Sequence, residues 1–243
     1  MKDLGAIQWV LKIKVTVNRE LGFAHWDQAQ FITTFLKKFN LMGLPERDTP
    51  YSAQHKLTCN ITEEDVEFMK DKQKLIRPIL GNCQWATHTH PLIKPTLNRL
   101  CQLQNCFGKL AWKALMWLCG YLKANLNQGI FFHRKKWQRL VMVFGDVGVG
   151  FNTDNAKSRE GAVGLLMENV MINETAEQTL TALSSPEAEC VASARAMKIA
   201  IYMCEWIAGF EMDATPGLVY TDASAALEGR QMVLNFASLA SNW

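Results

Sequence analysis

The sequence predicts a mixed α/β architecture, with a sheet and a helical layer in the last hundred or so residues behind a mostly helical half. Three observations carry this. Two short apolar runs of strand length, residues 140–144 and 218–221, lead into acids at Asp146 and Asp222. Residues 161–167 and 170–172 flank Glu168 and Asn169 as the arms of a hairpin. Residues 186–208 then carry apolar side chains at helical spacing. A strand, a hairpin, a crossover helix and a returning strand make a mixed sheet.

Taken in order, residues 9–17 alternate, with Trp9, Leu11, Ile13, Val15 and Val17 on one face of a single expected strand. Asn18 to Gly22 is a turn. Asp27 is a good N-cap for a helix reaching Phe39, with Phe31, Thr34, Phe35 and Lys38 at helical spacing. Residues 43–51, with Pro45 and Pro50, form a loop, and Thr62 with Asp65 opens a further helix. Residues 92–123 form two helices broken near Gly108. The stripe Leu110, Ala114, Trp117 and Tyr121 on the second reads as core rather than as a base-stacking platform. A strand at 129–132 precedes the basic run His133-Arg-Lys-Lys136, which divides the chain into 1–137 and 138–243. A short helix is expected from Ser224.

Ser185 is placed to cap the long helix, with Pro186 at its first position and Glu187 favouring the positive end of its dipole. Glu189 stands three residues before Ala192 and seven before Ala196. It shares the face that continues through Ile199, Met203 and Trp206, and is carried inward at the first turn. Asp146 and Asp222 each follow a strand, where a crevice forms at the carboxyl edge of an open sheet. Asp222 has a second reading, as a cap for the helix after it. Three convergent carboxylates suit hard cations such as Mg²⁺, which take oxygen ligands and act in pairs in phosphodiester cleavage.

The net charge of +3 hides an asymmetry. Residues 1–140 hold 21 basic and 10 acidic side chains, net +11, whereas 141–243 hold 5 and 13, net −8. A phosphate-attracting half beside a cation-binding half fits that division. Seven cysteines without a C-x-x-C pair read as buried free thiols rather than zinc ligands. There is no long uncharged apolar run and no signal-like N-terminus, so the expectation is an intracellular protein, in cytoplasm or nucleus, neither secreted nor membrane-embedded.

Several stretches carry a family resemblance. Met1-Lys-Asp-Leu-Gly5 with Trp9-Val-Leu-Lys-Ile13 is similar to the segment after the polymerase palm of copia-type LTR retrotransposon Pol polyproteins. Trp85-Ala-Thr-His-Thr-His-Pro91 resembles their "A-T-x-T-R-P-D" block, and Tyr121-Leu-Lys123 with Gly129-Ile-Phe-Phe132 their "R-Y-L-K-G-T…G-L-x-F". Thr181-Ala-Leu-Ser-Ser-Pro-Glu-Ala-Glu-Cys190 is close to "V-A-L-S-S-T-E-A-E-Y", and Tyr220-Thr-Asp-Ala-Ser-Ala-Ala226 stands where the family has "x-C-D-N-Q-S-A".

The resemblance implies a ribonuclease H-like domain from about 138 onward, with Asp146, Glu189 and Asp222 as its first three metal-binding carboxylates. It also implies two Mg²⁺, the second held weakly, and an RNA–DNA hybrid as substrate. Residues 1–137 would be the thumb and connection remainder of reverse transcriptase, in a larger Pol polyprotein. Departures accompany the match. The chain has no Asp-Asp dipeptide and hence no polymerase site. Where the family has "Y-S-D-A-D-W-A-G-D", this chain has Phe144-Gly-Asp-Val-Gly-Val-Gly-Phe-Asn-Thr-Asp154. The sequence ends before the family's fourth acid, which reads as a C-terminal truncation; Asp154, Glu168 and Asp213 are the candidates to replace it. Two functions follow from this: a Mg²⁺-dependent ribonuclease H, or a non-catalytic nucleic-acid-binding or inert remnant.

Overall fold

A computed structural model of the chain describes residues 5–52, 54–55, 57–134, 140–148, 154–210, 217–221 and 232–233. It divides into two compact units, Met1–Phe132 and His133–Trp243. The junction expected at 137–138 lies outside the described residues.

The first unit begins with β1 (Trp9–Val10), β2 (Ile13–Asn18) and β3 (Phe23–Asp27), which with β4 (Ile130–His133) form a sheet in the order β1-β2-β3-β4. The single strand expected over 9–17 is instead a hairpin. Leu11 and Lys12 both take left-handed backbone, φ 48° and 68°, in a two-residue turn. Such turns usually announce themselves with Asn or Gly, and this one carries neither. Ile13 and Val15 are buried, while Trp9, Leu11 and Val17 stay exposed.

Helices α1 (Ala29–Lys38), α2 (Glu63–Met69), α3 (Gln73–Ala86), α4 (Lys94–Gln102) and α5 (Lys109–Ala124) follow, with a 3₁₀ turn at Pro91–Ile93. Asp27 closes β3, and Gln28 takes the N-cap position of α1 without a side-chain cap bond. The Asp27 carboxylate still accepts from Ala29 N at 3.2 Å. The buried face of α1 is Ile32, Phe35 and Leu36, so the expected stripe through Thr34 and Lys38 is corrected: both are exposed. Neither β3 nor α3 was expected; α3 contains Pro78, which disguises a helical run. From the α5 stripe, Ala114 and Tyr121 are buried and Leu110 is exposed.

Asp65 ties two helix starts together. Its Oδ2 accepts from Thr62 N at 3.0 Å and its backbone N–H donates to Thr62 Oγ1 at 3.3 Å, the reciprocal capping box of α2. Its Oδ1 accepts from Lys109 N at 2.6 Å, in the first turn of α5. These backbone donors hold the Asp65 carboxyl below the usual carboxylate range. The expectation of free thiols is corrected at Cys59 and Cys106, which form a disulfide with a Cα–Cα distance of 5.4 Å. Cys83, Cys119 and Cys204 are buried thiols, and Cys190 is exposed.

The second unit holds β5 (Val141–Gly148), β6 (Arg159–Leu166), β7 (Asn169–Glu177), α6 (Ser185–Ala208), β8 (Leu218–Thr221) and β9 (Met232–Val233), the last not expected from the sequence. Its sheet runs β7-β6-β5-β8-β9, with β5 and β8 parallel and the other pairs antiparallel. The β6–β7 turn sits at Met167 and Glu168, φ 49° and 63°, one residue before the expected place. Ser184, not Ser185, caps α6, its Oγ accepting from Glu187 N at 3.3 Å. The Glu187 carboxylate turns back to accept from Leu183 N at 2.7 Å. The core packs Val143 and Val219 of the sheet under Ala196, Ile199, Ala200, Met203 and Ile207 of α6. The helix expected from Ser224 lies outside the described residues.

Candidate functional site

Small residues draw the N-terminal half of α6 onto the middle of the sheet. A Cβ built on Gly145 would lie 2.8 Å from Ala196 Cβ and 3.5 Å from the Ala192 carbonyl oxygen. Helix and strand therefore meet there with only the Ala196 methyl group between them. One strand over, Ser193 Oγ lies 3.0 Å from Thr221 Oγ1 in the last residue of β8. Gly145 and Thr221 are partners in the parallel β5–β8 ladder, which ends at that pair. Asp146 is the next residue of β5. Glu189 lies one turn before Ser193, at the near end of α6, because residues four apart share a helix face.

Asp146 is exposed and lies within β5, two residues before that strand ends, paired across to Gly161. Its Oδ1 accepts from Val147 N at 2.7 Å. Side chains alternate along a strand, so Asp146 shares the face of Phe144, opposite the face on which Val143 and Gly145 meet α6. Phe144 is 43% exposed and stacks on Tyr220, ring centroids 4.8 Å apart. Glu189 is half-buried, and among the described residues its carboxylate has no hydrogen-bond or ion-pair partner. The two acids thus flank the carboxyl end of the central strands from different layers. Asp222 follows Thr221 directly in sequence and lies outside the described residues.

The acids considered as replacements separate by position. Glu168 is in the β6–β7 turn, beside the start of β5, because Leu166 pairs with Val141. Five residues of strand, about 17 Å at the usual rise, separate that end from Asp146. Asp154 is exposed, and Asp213 lies outside the described residues. No group of three or more His, Cys, Asp or Glu side chains arranged to hold a metal occurs among the described residues.

One cluster at this end was not anticipated. Glu160, opposite Val147 and 5% exposed, is held by the Arg195 guanidinium, which also donates to Glu174 Oε2 at 3.0 Å. Gln178 Nε2 donates to the Ala188 carbonyl at 2.8 Å and reaches Glu160 Oε2 at 3.4 Å, fixing the first turn of α6 directly beside Glu189. The sequence signal was present but indirect: Arg195 lies outside the apolar face of α6, and Glu160 is the second residue of β6. Glu160 is committed to Arg195 and is not available as a ligand. A cleft of about 670 Å³ between β7 and α6, walled by Glu174, Glu177, Lys198 and Tyr202, contains neither Asp146 nor Glu189.

In the first unit, a separate groove of about 440 Å³ runs between the β1–β2 hairpin and α1, lined by Trp9, Lys12, Phe31 and Lys38. Lys12 Nζ lies 5.7 Å from the Phe31 ring centroid. Flat rings beside lysines in an open groove suit bases and phosphates.

Compared with known proteins, the chain is 24% identical over 230 residues, 94% of its length, to the "Retrovirus-related Pol polyprotein from transposon TNT 1-94" of Nicotiana tabacum. The chain spans 17% of the length of that polyprotein. This similarity supports an origin in a retrotransposon Pol polyprotein. No family model matches the chain, and no solved structure matches it. Among the described residues no helix is long and apolar enough to cross a membrane.

Proposed function

We propose that this chain is a piece of a copia-type Pol polyprotein, with the thumb and connection remainder of reverse transcriptase in residues 1–137 and a ribonuclease H-type domain in 138–243. Asp146, Glu189 and Asp222 are its metal-binding carboxylates, and an RNA–DNA hybrid is its ligand. One observation carries the reading. The parallel β5–β8 pair ends at Gly145 and Thr221, and α6 is seated on those same two residues, which supports a shared site for Asp146, next after Gly145, and Glu189, one turn before Ser193, with Asp222 following Thr221 in sequence.

The donor chemistry fits Mg²⁺, since all three candidates offer carboxylate oxygen and the Glu189 carboxylate is uncommitted among the described residues. Bound Mg²⁺ supplies Lewis-acid activation of water and neutralises charge at a scissile phosphate. The residues of the chain hold negative oxygens at that end, while the groove of Trp9, Lys12, Phe31 and Lys38 and the +11 balance of residues 1–140 attract the nucleic-acid backbone. Recognition of a hybrid in this way reads backbone and 2′-hydroxyls with little sequence preference.

A second reading, a nucleic-acid-binding remnant without turnover, has its own support. Of the acids that could complete the set, Glu160 is engaged by Arg195 and Glu168 is at the far end of β5, which leaves Asp154, between β5 and β6, as the described candidate. Neither Glu160 nor Glu168 completes a second ion site, and we expect cleavage to be slow or absent. Incubating the full chain with labelled hybrid in Mg²⁺ or Mn²⁺ at two ionic strengths tests both readings. Binding that falls steeply with salt is expected, with any trace cleavage lost in Asp146→Asn. No binding at low salt overturns both, and cleavage surviving Asp146→Asn overturns the site.

A further inference from the structure

In the first unit, the loop after α1 (residues 44–51) is clamped to one face of α5 by Trp117, Gly120 and Lys123, on successive turns of the helix. Trp117 Nε1–H donates to the Thr49 carbonyl at 2.9 Å, and Lys123 Nζ donates to the Leu44 carbonyl at 2.9 Å. Between them Gly120 admits the loop backbone, since a Cβ there would lie 2.5 Å from the Pro45 carbonyl oxygen and 3.1 Å from Arg47 Cγ. The loop also orders itself. Thr49 Oγ1 donates to the Tyr51 carbonyl at 2.9 Å, and the Tyr51 hydroxyl to the His55 carbonyl at 2.6 Å.

These clamps set the Arg47 guanidinium on an indole, its central carbon 3.9 Å from the Trp117 ring centroid. A guanidinium held on an aromatic ring keeps its N–H donors for other partners, in the planar fork that fits two phosphate oxygens. Among the described residues Arg47 makes no hydrogen bond and no ion pair. The flanking acids leave it so. The Glu46 carboxylate lies 3.9 Å from Lys123 Nζ, and Asp48 is exposed, with no ion pair among the described residues. Lys113, one turn before Trp117 on α5, is exposed and adds a second positive charge. None of these residues lines the groove of Trp9, Lys12, Phe31 and Lys38.

We propose that Arg47, held on Trp117, forms a phosphate-binding site with Lys113. Arg47 supplies the paired donors and Lys113 the added charge. The proposed function enters only as the source of the phosphate, a nucleic-acid backbone; free phosphate has the same chemistry. His55 reports on the site. Its ring lies edge-on to Trp117, centroids 5.5 Å apart. Burial first, then the charges of Lys113 and Arg47, hold its pKa below the ordinary histidine value, and its Nδ1 has no hydrogen-bond partner among the described residues. Tyr51 meets the His55 carbonyl, not the ring. A phosphate on Arg47 and Lys113 offsets their field, so His55 should then take up a proton at higher pH.

Two measurements on the full chain test this. Nuclear magnetic resonance follows the His55 ring through a pH titration with inorganic phosphate, with the RNA–DNA hybrid, and in potassium chloride of matched ionic strength. Fluorescence anisotropy follows binding of labelled hybrid over a series of salt concentrations. The His55 midpoint should rise with either phosphate source beyond the chloride control, and the rise should vanish in Arg47→Gln. That variant should also bind hybrid about tenfold more weakly, with the slope of log affinity against log salt reduced by about one, the signature of one lost phosphate contact. Arg47→Lys should keep the slope and regain part of the affinity, because a point charge lacks the fork. Lys113→Gln leaves every loop clamp in place and should lower the slope by about one as well. A His55 midpoint moved by neither source, or one that still rises undiminished in Arg47→Gln, overturns the site. A rise with inorganic phosphate beside a hybrid slope unchanged in both Gln variants, or beside no hybrid binding, supports the site as one for free phosphate and rejects the backbone as its source.

Discussion

Gly145 and Gly161 are both in the central strands of the second unit, yet the structure assigns them opposite responses to a methyl group. A Cβ at Gly145 meets Ala196 Cβ at 2.8 Å, about 1 Å inside ordinary carbon contact. Both atoms are fixed to backbone, so the strain cannot be relieved by a rotamer change. Overpacking of this kind is destabilising by about 1–3 kcal/mol. At Gly161, the cross-strand partner of Asp146, the nearest atom to the built Cβ is the Glu174 carbonyl oxygen at 3.9 Å. There the gain in chain stiffness, about 0.5–1 kcal/mol, stands alone. Gly145→Ala should therefore be less stable than Gly161→Ala by roughly 2 kcal/mol once the stiffness gain common to both is removed. For a unit of this size that is a difference in Tm of about 10 °C. Thermal unfolding followed by circular dichroism reads it directly. Equal effects, or a more damaging Gly161→Ala, would refute the seating of α6 on the Gly145 face and with it the approach of Glu189 to the strand end.

Other perturbations follow from single contacts. Asp65→Ala removes the caps of both α2 and α5, and urea unfolding should show a loss of about 1–3 kcal/mol, with Asp65→Asn retaining part of it. Arg195→Met leaves Glu160 buried without its cation and should destabilise the second unit by about 3–5 kcal/mol, an effect that pairing with Glu160→Gln partly reverses. His90 binds a proton less readily folded than unfolded, so stability should be full above about pH 6.5 and decline below it until the lowered folded pKa is reached. His90→Gln should flatten that slope. Asp65 adds a separate loss at lower pH, as its depressed folded pKa is crossed.

Much of the second unit was legible because its signals are local. The β8 run has hard ends, and Ser185 with Pro186 located the start of α6 to within one residue, the cap itself being Ser184. The helical period put Ala192, Ala196, Ile199 and Met203 on the face that meets the sheet, but Trp206, read onto the same face, is exposed, and Glu189 at its start is half-buried. The face taken by Asp146 was not legible. Strand side chains alternate, so its side depends on which face of β5 the helix covers, and a shift of one residue reverses the answer. Glu160 was missed because its importance comes from Arg195, 35 residues away. In the first unit, alternation across 9–17 concealed a turn without glycine, and Pro78 concealed a helix. The Cys59–Cys106 bridge spans 47 residues, and no spacing rule connects those two positions.

The most direct test of a shared carboxylate site is a Mn²⁺ titration of the full chain by electron paramagnetic resonance, alongside Asp146→Asn, Glu189→Gln and Asp222→Asn. If the three acids hold one metal, each single change should weaken binding at least tenfold, about 1.4 kcal/mol, and the double changes should add little, because a ligand set fails as a unit. Wild-type affinity in any of the three variants, or independent and additive losses, would contradict a common site at the ends of β5 and β8.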